Sequence, residues 1–262
     1  MIKYLNLFGS FVKINVVKAM TYRANFFLNL LDSVLWFGIT LLFFNSIYGY
    51  VDEIKGWRIY DIYLLIGTSE LIKSVMFTLF INNLPMIPNL VNRSQLDLIL
   101  IRPVNSQFLI SLRNLDFGNF GNIPLAVYLI VYAIINKGEA VSFLDLCSYL
   151  GLLLVSIILA YSLWFTIMTL SIWLSKVQGM HELFLGAMTL MRYPSVQYKG
   201  VVKFVFTVIF PIVLVSNVPV IALSDVQTYT GLYYFYASTL AYFLFSIFFW
   251  RFALRYYQSA SS

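Results

Sequence analysis

Charged residues are scarce in this chain. Only 11% of its 262 residues are Asp, Glu, Lys or Arg, whereas a typical soluble domain has about 25%. A water-soluble fold needs polar side chains to cover its core, and here 61% of the residues are hydrophobic. The composition therefore excludes an ordinary soluble domain.

Cysteine and histidine are nearly absent as well. The chain has one of each, Cys147 and His181. A single cysteine excludes an internal disulfide, and neither residue has a second Cys or His at the spacing of a metal site. We therefore predict no metal site and no cofactor.

The sequence also lacks the motifs of catalysis. It has no Gly-Lys dipeptide, which excludes the Gly-Lys-Ser/Thr ending of a Walker phosphate-binding loop. It has no Gly-x-Ser-x-Gly nucleophile elbow, and its carboxylates are few and dispersed. We predict no catalytic residue, so any energy that the protein uses must come from another subunit or from an ion gradient.

Long apolar runs are what the chain does have. A continuous run of about 20 apolar residues crosses a bilayer as a helix, whereas a β-barrel strand alternates apolar and polar residues. We therefore predict an all-α integral membrane protein, a single transmembrane domain over residues 1–262 with six transmembrane helices. The predicted spans are 26–48, 60–83, 117–136, 146–174, 201–223 and 231–254. Two prolines, Pro211 and Pro219, lie inside the fifth span, where a proline bends a helix.

The first 25 residues have a different pattern. Apolar residues such as Leu5, Val12 and Val16 share one helical face, and polar residues such as Lys3 and Lys13 share the other. This pattern predicts a helix lying in the membrane interface. The alternative is one long first helix that continues into the membrane.

Basic residues are distributed unevenly between the two sides of the predicted spans. With the N-terminus inside, 13 of the 17 basic residues lie in inner segments, three lie in the short outer loops, and Lys73 lies within a span. The positive-inside rule therefore predicts that both termini and both long polar loops, one before the third span and one at 176–200, face the cytoplasm. The net charge of +6 is explained by topology, so we predict no nucleic-acid partner.

Three charged residues lie inside predicted spans: Asp32 in the first, and Glu70 and Lys73 in the second. Such charges are costly in a membrane and are often functional. Because Glu70 and Lys73 are three residues apart, they share a helical face and can neutralise each other. They are either a proton or ion relay or a structural pair at a helix interface.

The inner loop between the second and third spans contains a short amphipathic piece, residues 89–102. Its polar positions predict a surface that docks onto a soluble partner, and the alternative is an interfacial helix that contacts only lipid. We place the docking contact on Arg93, Leu96 and Asp97. Arg102 closes the segment, as a further docking residue or as a ligand of lipid phosphate.

This loop also carries a family resemblance. Its sequence LDLILIRPVNSQF (96–108) resembles the small six-span permeases of the type-2 ATP-binding-cassette exporters, as do RYP (192–194), the two prolines of the fifth span and the ending WRFALRY (250–256). The opening YRANF (22–26) fits as well, so the resemblance covers essentially the whole chain. One departure is Ser94-Gln95, where the family tends to have Gly-Glu.

The resemblance implies a function. Such permeases pair with a separate ATP-binding subunit, and two permease chains, identical or paralogous, enclose a path for a hydrophobic or amphipathic cargo such as a drug, peptide or lipid. It further implies that residues 89–102 form the coupling helix, that the N-terminal helix is a connecting helix, and that the protein resides in a bacterial cell membrane. The alternatives are an ion-coupled secondary transporter that uses Glu70 and Lys73, and a non-transporting scaffold or sensor.

Overall fold

The computed structural model describes residues 2–21, 23–138, 141–174, 178–224 and 231–257. Over these residues the chain is almost entirely helical, with one two-stranded hairpin. The α-helices are α1 Ile2–Thr21, α2 Arg23–Tyr48, α3 Ile59–Phe80, α4 Ile87–Asn92, α5 Asp97–Leu100, α6 Ser106–Leu112, α7 Asn122–Lys137, α8 Phe143–Thr169, α9 Gln178–Met188, α10 Gly200–Phe204, α11 Leu214–Leu223 and α12 Leu232–Leu254. Strands β1 Glu53–Ile54 and β2 Trp57–Arg58 form the hairpin. The predicted all-α integral membrane fold is confirmed.

Local signals explain where several helices begin and end. Ser142 caps α8, since its hydroxyl accepts the N–H groups of Leu144 and Asp145 while the Asp145 carboxylate accepts the N–H of Ser142. Gly138 follows α7 with φ of 74°, the left-handed conformation that commonly ends a helix. These two local signals account for the end of α7 and the start of α8.

The hairpin marks one end of the bundle, which we call the hairpin end. Lys55 and Gly56 both have positive φ, 51° and 84°, as a two-residue turn of this kind requires. The residues that link α3 to α7 lie at the opposite end of α3. We call residues 84–112 the α4–α6 segment and that end of the bundle the segment end.

Close packing in the middle of the bundle depends on small residues. At Gly67 of α3, a Cβ atom would lie 2.8 Å from a side-chain carbon of Ile130 and 3.1 Å from the carbonyl oxygen of Ala126. Glycine therefore lets α3 and α7 approach each other, as small residues do between membrane helices. Helix α8 runs parallel to α3. Tyr149 of α8 hydrogen-bonds to Thr68 of α3, and twelve residues further along each helix Tyr161 packs on Phe80.

Five of these helical stretches are long and apolar enough to cross a membrane: residues 27–48, 59–80, 117–137, 143–172 and 232–254. The sixth predicted span, 201–223, is a helix pair bent by 87° rather than one straight helix. The bend follows from Pro211, because a residue that precedes proline is disfavoured in the α region, and Phe210 has φ of −134° and ψ of 75°. A π-helix over Val205–Ile209 precedes this break.

Contacts before and after this helix pair show that both of its ends lie at the same end of the bundle. Before the pair, the carbonyl of Val196 accepts a hydrogen bond from Lys55 of the hairpin, at 2.9 Å. After it, α12 runs from the hairpin end to the segment end, where Trp250 bonds to Ser106. The pair therefore leaves and returns at the hairpin end, which is the geometry of a re-entrant loop.

Helix α9 and its continuation, rather than residues 201–223, lead from the segment end of the bundle to the hairpin end. Near its start, His181 stacks on Trp164 in the last third of α8, close to the segment end. Its continuation, the 3-10 turn Thr189–Arg192, leads to the contact at the hairpin end. The two pieces are about 24 Å long together, close to the ~30 Å hydrocarbon layer. The long polar loop predicted at 176–200 is therefore corrected, over its described part, to a short crossing helix.

Helix α1 packs on the segment end. Lys3 donates to the carbonyl of Pro103, and the side-chain amide of Asn15 donates to the carbonyl of Arg113. Tyr4 packs edge-on against Phe108. The N-terminal helix is thus fastened to residues that directly follow the predicted docking piece 89–102.

Candidate functional site

The turn between α4 and α5 shapes the predicted docking piece. The N–H of Ser94 donates to Val91 and that of Gln95 donates to Leu90, the hydrogen-bond pattern of a Schellman helix end. Ser94 has φ of 53°, the conformation in which glycine is favoured. The family glycine at this position is therefore replaced by serine without loss of the turn.

A single asparagine closes the loop that contains the segment. The side chain of Asn83, only 2% exposed, donates to the carbonyl of Asn114 and accepts from its N–H, at 2.7 and 2.9 Å. The two ends of the connection are thereby held together. The paired contact closes a loop made of the 30 residues between the two asparagines.

The segment is also bonded to two membrane helices. In α6, Gln107 and Ser111 both bond to the hydroxyl of Tyr161 in α8, at 3.1 and 2.9 Å. The indole N–H of Trp250 in α12 donates to the hydroxyl of Ser106, at 3.0 Å. These hydrogen bonds connect the segment to α8 and α12.

The predicted docking residues fall in different environments. Arg93 and Arg102 are exposed, as a docking role requires. Leu96 is completely buried, so it anchors the segment in the bundle and its assignment as a docking contact is corrected. The exposed large apolar residues of the segment are Met86, Leu98 and Ile101, at 48%, 62% and 77%.

Asp97 is engaged within the chain. Its carboxylate lies beside the hydroxyl of Tyr257 just after α12, where burial first and then the negative charge of Asp97 raise the pKa of that hydroxyl. Asp97 therefore connects the segment to the C-terminal residues. Leu98 and Ile101 were missed by sequence reasoning, although their i, i+3 spacing was available as a signal.

The intramembrane charges meet in one cavity. Glu70 and Lys73 of α3 form an ion pair of 3.5 Å, with 27% and 39% of their side chains exposed. Together with Asp32 of α2 they line a cavity of about 390 Å³ between α2, α3 and the end of α9. A fourth charge, Arg192, lies in the same wall. We call this cavity the charged cleft.

Arg192 was assigned by sequence reasoning only to the RYP motif and to the count of inner basic residues. Its guanidinium donates to the hydroxyl of Thr40 at 3.1 Å and to the carbonyl of Thr189 at 3.3 Å. Its place in the cleft depends on the crossing of α9, which no local pattern reveals.

Another ion pair lies at the hairpin end and was also missed. Lys137, at the end of α7, lies 3.1 Å from Asp61, in the first turn of α3, and their side chains are 8% and 2% exposed. The other oxygen of Asp61 accepts the N–H of Arg58. This pair fastens α7 to the start of α3.

The comparison with known families agrees with this architecture. The sequence model of the ABC-2 family transporter proteins matches residues 34–261, which is most of the chain. The chain belongs to the ABC-2 transporter family. It is thus a multi-pass membrane permease subunit of an ABC transporter, in a family that generally works with a separate ATP-binding subunit. No curated protein and no solved structure matches it.

Proposed function

We propose that this chain is the permease of an ATP-driven exporter in a bacterial cell membrane, with both termini cytoplasmic. Two permease chains, identical or paralogous, would enclose the path of a hydrophobic or amphipathic cargo. A separate ATP-binding subunit would dock on the α4–α6 segment and drive it.

The observation that carries the proposal is the two-sided construction of this segment. One side is fixed in the bundle by fully buried Ile87 and Leu96 and by the bonds to Tyr161 and Trp250. The other side presents Arg93, Leu98, Ile101 and Arg102 to the solvent. A surface that is exposed on one side and rigidly connected on the other can pass the motion of a bound ATPase to the membrane helices.

The contact chemistry supports a protein partner over lipid alone. Exposed leucine and isoleucine beside arginine combine an apolar anchor with charges that set the partner's register. Arg102 precedes Pro103, whose carbonyl accepts a hydrogen bond from Lys3 of α1, so these two basic residues also suit a lipid phosphate. Substitutions at Arg93 and Leu98 therefore test protein docking more specifically than a substitution at Arg102.

The experiment is affinity purification in mild detergent, with identification of any co-purifying subunit that carries a Walker motif. Arg93→Glu and Leu98→Glu should reduce its recovery by about tenfold or more and abolish stimulated ATP hydrolysis, because each variant reverses or buries charge at the contact. Matched controls at the hairpin end are Lys199→Glu and Val51→Glu, both exposed positions.

Both control variants should leave the complex intact, and all four should keep the yield and unfolding temperature of the chain. Normal binding and coupling by Arg93→Glu and Leu98→Glu would contradict the docking proposal. Transport that needs an ion gradient and no ATP would favour a secondary transporter, and no transport at all would favour a scaffold or sensor.

A further inference from the structure

Two charges in the charged cleft have no counter-ion. In the part of the chain that the structure describes, the Asp32 carboxylate makes no ion pair or hydrogen bond, and no carboxylate lies within ion-pair distance of Arg192. Arg192 uses two of its five N–H groups on Thr40 and Thr189. Three N–H groups and one carboxylate thus remain available in the same cavity.

The position of the cleft makes this arrangement costly. Glu70 is the twelfth of 22 residues in α3, so the cleft lies near the middle of a helix that is long enough to span the membrane. Charged side chains at that depth are unfavourable unless they are paired or lie in a wet cavity. Glu70 and Lys73 compensate each other, whereas Asp32 and Arg192 are left for a ligand.

The sum of the charges indicates what kind of ligand fits. Two acidic and two basic side chains line the cavity, so it has no net charge. An anionic or cationic ligand would leave one of the two open groups without a partner, whereas a ligand that carries both signs would satisfy both.

We propose that the charged cleft binds the headgroup of a zwitterionic amphiphile, with its anionic group on Arg192 and its cationic group on Asp32. This proposal rests on the proposed function, because it names the cargo class of the permease. A phosphocholine or phosphoethanolamine headgroup has this chemistry.

The size and the surroundings of the cleft agree with an amphiphile. Its volume of about 390 Å³ suits a headgroup and the first part of a chain, within the usual range for ligand pockets of about 300–1,000 Å³. Trp36 and Phe37 supply apolar walls. Along α2, Leu28 and Leu35 are exposed beside the cleft and offer a path for an alkyl chain.

The test uses the full chain in maltoside micelles and four probes that share a brominated dodecyl chain. Their headgroups are phosphocholine, phosphate, trimethylammonium and maltose. Bromine quenches indole fluorescence at contact, and Trp36 lines the cleft, so quenching that is absent from Trp36→Phe reports binding there. The phosphocholine probe should bind at least tenfold more tightly than the other three.

Charge variants should reverse this preference in opposite directions. Asp32→Asn should weaken the phosphocholine probe about tenfold and make the phosphate probe the preferred ligand, while Arg192→Gln should favour the trimethylammonium probe. Asp52→Asn, an exposed acid at the hairpin end, is the matched control and should change nothing. Equal affinity for all four probes, or an unchanged order in both variants, would overturn the proposal.

The source of the headgroup is tested by competition. Glycerophosphocholine, which has the headgroup without the chain, should compete at least tenfold less well than the brominated probe. Equal competition would overturn the requirement for an amphiphile. All of these measurements omit ATP and the ATP-binding subunit, so a failure here and a failure of the docking experiment are distinguishable.

Discussion

The buried ion pair between Asp61 and Lys137 permits a quantitative test of what holds the hairpin end together. At 3.1 Å, two unit charges attract by about 5 kcal/mol at an effective dielectric constant of about 20. Asp61→Asn keeps an acceptor for the N–H of Arg58 but strands the ammonium group of Lys137, which is only 8% exposed. Removing one partner of such a pair typically costs about 3–5 kcal/mol.

The double variant Asp61→Asn with Lys137→Met should lose less than the two single variants together, because no charge is then stranded. The coupling should be about 2 kcal/mol. The apparent unfolding temperature in maltoside micelles is the measurement, and each single variant should lower it by on the order of 10 °C. Asp52→Asn is the control for the loss of an exposed acid from the same end. Additive single effects, or a single variant that unfolds like the wild type, would refute the reasoning.

Three further predictions follow from other parts of the molecule. Replacing Glu70 or Lys73 alone should reduce stability more than replacing both. The coupling should be about 1 kcal/mol or less, because both side chains are partly exposed. A double-mutant cycle on unfolding measures it, and additive losses would show that the two residues are not paired. In a variant without its native cysteine, Gln197→Cys should react with an impermeant maleimide from the same side as Ser142→Cys, whereas labelling from the opposite side would restore a straight span at 201–223. Ser94→Gly should raise stability by less than about 1 kcal/mol, because it removes the cost of positive φ but also the side-chain contact with Tyr257, and a lowered unfolding temperature would contradict this.

The sequence was sufficient for features that depend on local composition. Apolar runs of sufficient length marked the five long helices, because the hydrocarbon layer sets the length of a span. Pro211 was placed inside the fifth span as a bend, and the structure has its break there. The Glu70–Lys73 contact followed from their spacing on a single helix.

Contacts between distant segments could not be predicted in the same way. α9 with its continuation is too short and too mixed to be recognised as a crossing, and only the bond between Lys55 and Val196 reveals where it ends. Assigning Lys199 and Lys203 to the hairpin end, and Arg192 to the charged cleft, changes the basic count from 13 against three to ten against five. The bias keeps its sign, so the proposed orientation is retained with a smaller margin.

Leu96 shows why proximity to a charged residue does not identify a docking contact. In a helix, adjacent residues such as Leu96 and Asp97 point in directions about 100° apart, so they do not share one face. After the left-handed turn at Ser94, Leu96 is completely buried, whereas Leu98 and Ile101 are exposed. The docking surface of this segment is therefore assigned from burial rather than from sequence neighbours.

Burial separates the two sets of intramembrane charges by their roles. Asp61 and Lys137 are almost fully enclosed and matched one to one, so any ligand would have to break a pair that the fold needs. The charged cleft has the opposite construction, because its central pair is partly exposed and Asp32 and Arg192 remain open beside it. A structural role would be served better by closing these two groups against each other. Their separation across an accessible cavity instead supports the proposal that a ligand carrying both charges completes a site between α2, α3 and the turn after α9.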